Sequence, residues 1–355
     1  MLHNTPNLFI YAMHSVKIFR CLLLVYSAAS LAGLSPYASA FETMPALPAQ
    51  APVPHDNPPN AAKLKLGRQL YFDTRLSLNA KISCNTCHDL TQGGVDHRAL
   101  STGASGKQAR RSTPTVLNAA FQSVQFWDGR AESIEAAIKD HLLDPSIMGM
   151  PGQRAVLKRI GSRAAYRHGF NKAFGGPAAL SFDNLAKAIA AYVRTLTTPD
   201  SPFDRYVKGD KKALSKQALR GMQQFQEAGC VACHFGINFS GPPMPMGEGF
   251  YELFPNYLGS RYDKQYNLVT DDQGHYEATK DPIHKRLFRV SSLRNIALTA
   301  PYFHTGTVAT LDEAIRVMAV TQLQKELADD QVADIEAFLH TLTGRLQETP
   351  AVPRH

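Results

Sequence analysis

Apolar residues recur along this chain at helical intervals, in blocks separated by long polar stretches. Leu64, Leu66, Leu70 and Tyr71 predict a helix over residues 61–72. Amphipathic patterns predict helices over 132–143 and 182–196, the second stopped at Thr197-Thr198-Pro199-Asp200-Ser201-Pro202. A further helix is predicted over 214–228, ended by Gly229. Helices over 310–318 and 329–342 close the chain, with Asp312, Asp329 and Asp330 near N-termini, where the helix dipole favours negative charge. The Pro- and Ala-rich stretch 48–60 reads as an extended arm. Residues 93–113 and 236–281, rich in Gly and polar residues, read as loop. The expected fold class is mainly α with long loops.

The N-terminus departs from this pattern. Lys17 and Arg20 precede an apolar stretch, Cys21–Leu34, followed by small residues at 38 and 40. A positive region, an apolar core and an A-x-A site describe a secretory signal over residues 1–40. The mature protein is therefore expected in an exported, oxidising compartment, a periplasm. Composition excludes other classes. With 44% hydrophobic residues among 355, the chain is neither disordered nor polytopic, and it is long enough for two domains. Cleavage after Ala40 changes the net charge from +8 to +6 and leaves four of the five cysteines.

Those four decide the chemistry. They form Cys84-Asn85-Thr86-Cys87-His88 and Cys230-Val231-Ala232-Cys233-His234, each a C-x-x-C-H motif, the attachment signature of a c-type haem. Two Cys three apart share one face of a helical turn, so both sulfurs reach the vinyl groups of one porphyrin. The next residue, His88 or His234, points at the iron as axial ligand. A redox dithiol, a disulfide or half a zinc site could use the same pair. Two such motifs in an exported chain, using every mature cysteine, point to two covalent haems. Each motif follows a predicted helix, with His88 and His234 146 residues apart. Two cytochrome-c-like haem domains are expected, over 41–202 and 203–347, with a tail at 348–355.

Beyond the haem motifs, the segments LGRQLYFDTRLS, CNTCHDLTQGGVD, RRSTPTVLNAAF, QFWDGRAES, SPFDRYVKGD, SLRNIALTAPYFHTGTVATLDEAIRVM and DIEAFLHTLTG together resemble the bacterial dihaem cytochrome c peroxidase family, which includes the MauG-like enzymes. The resemblance spans roughly residues 60–347. It implies that the C-terminal haem receives electrons, the N-terminal haem meets hydrogen peroxide, and Trp127 relays between them. It also implies Met318 as sixth ligand of the C-terminal haem, where a thioether raises the iron's potential. Met244 and Met246 are rivals that follow His234 closely. MauG-type members carry a Tyr as this ligand, so Met318 favours the peroxidase branch. Arg130 matches a haem-propionate partner. A calcium ion between the domains is implied, with Ser112 and the carbonyls of Thr299 and Pro301 as ligands. The family's usual residue at the first of these is Asn, and the shorter Ser leaves room for a water.

Three departures lie near the N-terminal haem. Ala104 stands where many members hold a loop His that caps the resting iron, which predicts an open distal position; His97 lies nearby as a substitute. Ile147 replaces the family's distal Glu, and Ala137 its Gln. His141 and Asp144 are then the nearest groups for proton transfer, where a positioned base contributes on the order of 10²–10⁴-fold.

Four ionised propionates would reduce the mature charge of +6 to about +2, and no basic run suggests nucleic acid. The expected donor is a small exported cytochrome c or copper protein, met through a small transient contact. A homodimer is common in the family. Three functions compete: a peroxidase, a dihaem electron-transfer cytochrome without catalysis, and a MauG-like oxidase that modifies another protein.

Overall fold

The computed structural model describes residues 44–346; the expected signal segment and tail lie outside them. The described chain is mainly helical. Helices α1 (Ala61–Tyr71), the single turn α2 (Cys84–Cys87), α3 (Ile134–Leu143), α4 (Gln153–Gly161), α5 (Ala164–Phe174) and α6 (Phe182–Val193) come first. They are followed by α7 (Pro202–Val207), α8 (Lys216–Ala228), α9 (Arg261–Gln265), α10 (Tyr276–Thr279), α11 (Leu311–Leu323) and α12 (Asp329–His340). Strands β1 (Tyr251–Leu253) and β2 (Leu287–Arg289) form one short antiparallel pair, with Glu252 opposite Phe288. The pattern over 151–174 gave no expectation of α4 and α5, and α11 runs five residues beyond Met318.

Two hydrophobic cores organise these elements. Leu66, Leu70, Phe170, Leu185 and Ile189 belong to one, and Phe203, Phe225, Phe239, Val317 and Phe338 to the other. The ends of the described chain cross between them: Met44 is buried in the second core, and Leu346 packs on the first. The arm over 48–60 is extended but anchored. Asn57 is buried, and its Nδ2 donates to Glu135 Oε1 at 2.7 Å and to the Lys187 carbonyl at 2.9 Å.

In each core the helix preceding a haem motif crosses the helix that follows it late in the same half, and a glycine makes the crossing close. A Cβ on Gly67 of α1 would lie 1.9 Å from the Ala188 carbonyl oxygen of α6; one on Gly221 of α8 would lie 1.7 Å from that of Asp334 in α12. Backbone cannot yield as a side-chain tip does, so Gly221→Ala is expected to push α8 off α12. Overpacking of this kind costs about 1–3 kcal/mol. Denaturant unfolding of the holoprotein, with haem content measured beside it, should show a lowered midpoint at unchanged haem stoichiometry; an unchanged midpoint would contradict the tight crossing.

The segment over 197–201 bonds residues from both halves. Thr198 Oγ1 accepts from Asn118 Nδ2 at 2.8 Å and from Asn295 Nδ2 at 2.9 Å, one residue from each half. Both asparagines adopt the left-handed conformation ahead of a short 3₁₀ turn.

Candidate functional site

Each C-x-x-C-H motif opens onto its own cavity. The first, of about 430 Å³, is lined by Cys84, Cys87 and His88. The second, of about 280 Å³, is lined by Cys230, Cys233 and His234. Local folding explains the placement. In the first motif Ser83 and Thr86 cap the α2 turn, with Ser83 N donating to Thr86 Oγ1 at 2.9 Å. The Tyr71 hydroxyl at the end of α1 donates to the His88 carbonyl at 2.7 Å and fixes the motif to the core. In the second, Gly229 at φ 100° ends α8 and turns the chain into Cys230. Only glycine enters this left-handed region freely.

The donor set fits a covalently held haem in both cavities. The four cysteines are free thiols, so neither motif is a disulfide. Burial pushes the thiols of Cys84 and Cys230 up to about 12 and that of Cys233 to about 11, which disfavours a reactive thiolate. Among the described residues no group of three or more His, Cys, Asp and Glu could hold a metal ion, which removes the zinc reading there. His88 Nδ1 is buried without a hydrogen-bond partner among the described residues. His234 Nδ1 donates to the Phe239 carbonyl at 3.0 Å. Burial lowers both imidazoles, His88 to about 4, with His141 adding to the shift. Both are neutral at neutral pH, as metal ligands must be.

Met318, on α11, lines the second cavity together with His234. Met244 and Met246 do not line it. Trp127 lines both cavities, alone in doing so among the described residues. Its indole Nε1 donates to the Ser112 carbonyl at 2.8 Å. Ser112 N in turn donates to the His304 carbonyl at 2.7 Å. His304, at 4% exposure, lies edge-on to Trp127 with ring centroids 6.4 Å apart and stacks on Phe288 at 4.4 Å.

The remaining expected residues divide. His141 lines the first cavity; its Nδ1 donates to the Ala137 carbonyl at 2.8 Å and its ring stacks on Phe126 at 4.9 Å. Burial lowers the His141 pKa. Asp144 also lines the cavity, but its Oδ1 accepts from Ser146 N and Oγ, both at 2.7 Å, and so holds a turn. Ile147 and Ala137 line the same cavity with apolar side chains where the family carries acid–base groups. His97 does not line it; its Nδ1 bonds the Ala300 carbonyl at 2.8 Å. Arg130 lines the first cavity, pairs with Asp128 at 3.3 Å and Asp140 at 2.9 Å, and lies over the Phe126 ring. Ser112 is buried, and the Thr299 hydroxyl donates to the Ile296 carbonyl at 3.0 Å. Pro301 follows Ala300 through a cis bond.

Two residues escaped the sequence. Arg289 lines the second cavity at 7% exposure and forms no ion pair with a carboxylate among the described residues. Its Nε donates to the Phe126 carbonyl at 3.1 Å, and burial pushes its pKa down to about 10. His304 is the other. No spacing marks either; their burial follows from the pairing of β2 with the Trp127 segment, where Arg289 N donates to the Trp127 carbonyl at 2.9 Å.

Burial pushes His304 down to about 4, with Arg111 adding to the shift and Asp272 opposing it. Because the folded value lies below the ordinary 6.5, the native state binds fewer protons than the unfolded chain. The stability this neutral imidazole permits is complete above about pH 6.5 and is lost as pH falls towards 4, a cost on the order of 3 kcal/mol. His304→Gln is expected to flatten that acid limb. Denaturant melts of the holoprotein between pH 4 and 7 test it; an equally steep limb in the variant would place the loss elsewhere.

Comparison with known proteins adds four findings. A family model described as di-haem cytochrome c peroxidase matches residues 61–212. Cytochrome c551 peroxidase of Pseudomonas aeruginosa is 42% identical over 312 residues, 86% of this chain and 86% of that protein. Methylamine utilization protein MauG of Methylophilus methylotrophus is 31% identical, over 84% of this chain and 87% of its own. The crystal structure of a MauG-like protein associated with microbial copper homeostasis superimposes with a TM-score of 0.73 at 28% identity, covering 85% of this chain and 95% of that one.

Proposed function

This chain belongs to the di-haem cytochrome c peroxidase family, and on that premise we propose that it is an exported peroxidase that reduces hydrogen peroxide with electrons from a c551-type cytochrome. The reading rests above all on Trp127, which lines two cavities that each carry a complete C-x-x-C-H motif. When bound, the haems supply the redox chemistry, in which two electrons and two protons turn one peroxide into two waters.

The chain's own residues hold and feed that chemistry. His88 would hold the iron in the first cavity, and His234 and Met318 would hold that in the second. The thioether raises the potential there, as suits the site where electrons enter. The Trp127 indole is held by Ser112 so that one easily oxidised ring touches both cavities. Arg289, a buried cation with no carboxylate ion pair among the described residues, would neutralise a propionate of the second haem, and Arg130 would do so for the first. A buried charge otherwise stays costly.

In the first cavity His141 handles the proton. A carbonyl only accepts, so the proton shared with Ala137 stays on Nδ1 and Nε2 is the basic atom, free to take a proton from peroxide. Asp144 keeps the adjoining turn. A calcium ion would draw on Ser112 and the carbonyls of Thr299 and Pro301, a neutral ligand set that binds weakly. Export to the periplasm fits both the haem attachment and the basic-apolar start of the chain.

Stopped-flow mixing of the holoprotein with hydrogen peroxide, with and without reduced cytochrome c551, is the test. Turnover in the presence of donor is expected. No spectral change would leave an electron-transfer cytochrome, and a long-lived oxidised species that the donor does not quench would indicate a protein-modifying oxidase.

A further inference from the structure

The two halves of the chain repeat one backbone path at a constant offset. Asn118 and Asn295, both left-handed at φ 59° and 61°, lie 177 residues apart. Phe126 and Phe303 carry positive φ of 69° and 68° at the same offset, and Gly129 and Gly306 carry 66° and 62°. Antiparallel bridges close both turns, Gln125 with Ala131 and Tyr302 with Val308. Helix α3 then starts at Ile134 and α11 at Leu311, again 177 apart. A positive φ costs a Phe energy, so its recurrence at one register, without insertion or deletion between the landmarks, marks equivalent structure.

Carried along the two helices, this register pairs His141 with Met318. Each lines its own cavity together with the histidine of a C-x-x-C-H motif. The distance agrees. The His141 and His88 rings lie edge-on, with centroids 6.0 Å apart and planes at 71°. An imidazole nitrogen meets a metal at about 2.0–2.1 Å. With the ring radii added, two imidazoles on opposite sides of one metal have centroids about 6 Å apart. His141 Nδ1 is spent on Ala137, so Nε2 is the atom left for the cavity, and the stack on Phe126 fixes the ring.

We infer that His141 is the sixth ligand of the N-terminal haem iron in the oxidised resting protein, presented by α3 as α11 presents Met318. The inference rests on the two-haem reading above and replaces the open distal position that Ala104 alone predicts. Nε2 must leave the iron before peroxide reaches it. The imidazole that closes the site is then the one placed to take the proton.

Electron paramagnetic resonance and optical spectra of the oxidised holoprotein decide the matter. The wild type is expected to contain low-spin haem only. In His141→Ala about half of the bound haem should become high-spin, and added imidazole should return it to low-spin. His141→Met should stay low-spin and acquire a second methionine-ligated haem signature, which guards against a misfolded alanine variant. A high-spin haem in the wild type, or an unchanged spectrum in His141→Ala, would overturn the inference. A haem content below two per chain would instead overturn the underlying reading.

Discussion

Trp127→Phe is expected to lower donor-dependent peroxide turnover by at least about tenfold, equivalent to ~1.4 kcal/mol on the barrier, while both haems stay attached. Phenylalanine keeps an aromatic ring between the cavities. It loses the Nε1–H that bonds the Ser112 carbonyl at 2.8 Å, and its ring is much harder to oxidise than an indole. The C-x-x-C-H turns are built locally, so haem attachment does not depend on this side chain. Steady-state turnover, together with the pyridine haemochrome content of each preparation, checks the expectation. Full activity in the variant would show that electrons cross by another route. His304, edge-on to Trp127, would then be the first residue to replace.

The largest effect on stability is expected at Asp204. Its side chain and that of Arg294 are 0% and 1% exposed, with Arg294 Nη1 at 2.7 Å from Asp204 Oδ1. The same Oδ1 accepts from Leu47 N at 2.9 Å, and Oδ2 accepts from Ser201 N and Oγ, both at 2.9 Å. One carboxylate thus joins the N-terminal arm, the start of α7 and the segment after the second haem motif. The Arg294 guanidinium also lies over the rings of Phe203 and Phe239. Asp204→Ala would leave that cation buried and uncompensated, a loss of about 3–5 kcal/mol. The melting temperature of the holoprotein should fall on the order of 10 °C. Arg294→Met added to Asp204→Ala should recover part of the loss, because the stranded charge goes with it. A drop of under ~1 kcal/mol in the single variant would show that water reaches the site.

Helices were legible where one apolar stripe faced one core. The helices of 61–71, 182–193, 216–228 and 329–340 lie close to where spacing put them. Helices α4 and α5 were missed because their apolar residues, Val156, Ile160, Tyr166 and Phe170, are spread through a stretch dense in Arg, Lys and Gly. The 236–281 segment is loop-rich as expected. Yet Glu277 and Ala278 line the first cavity, drawn over it by Arg110 with Glu277 and by Arg111 with Asp272, the latter at 2.6 Å. No local signal reports a pairing across more than 160 residues.

The haem-binding turns were readable from the residue string because their chemistry is local: two sulfurs and an imidazole share a single turn, and neighbouring positions set their reach. Met318 and Trp127 are named by resemblance alone, and only the fold brings them into the cavities that those turns line. Met318 and His141 stand on helices far along the chain from the motifs whose cavities they line, and the 177-residue register that relates them shows in backbone conformation. Trp127 likewise lines both cavities, a placement that no local spacing reports, because two segments far apart in the chain are brought together by the fold.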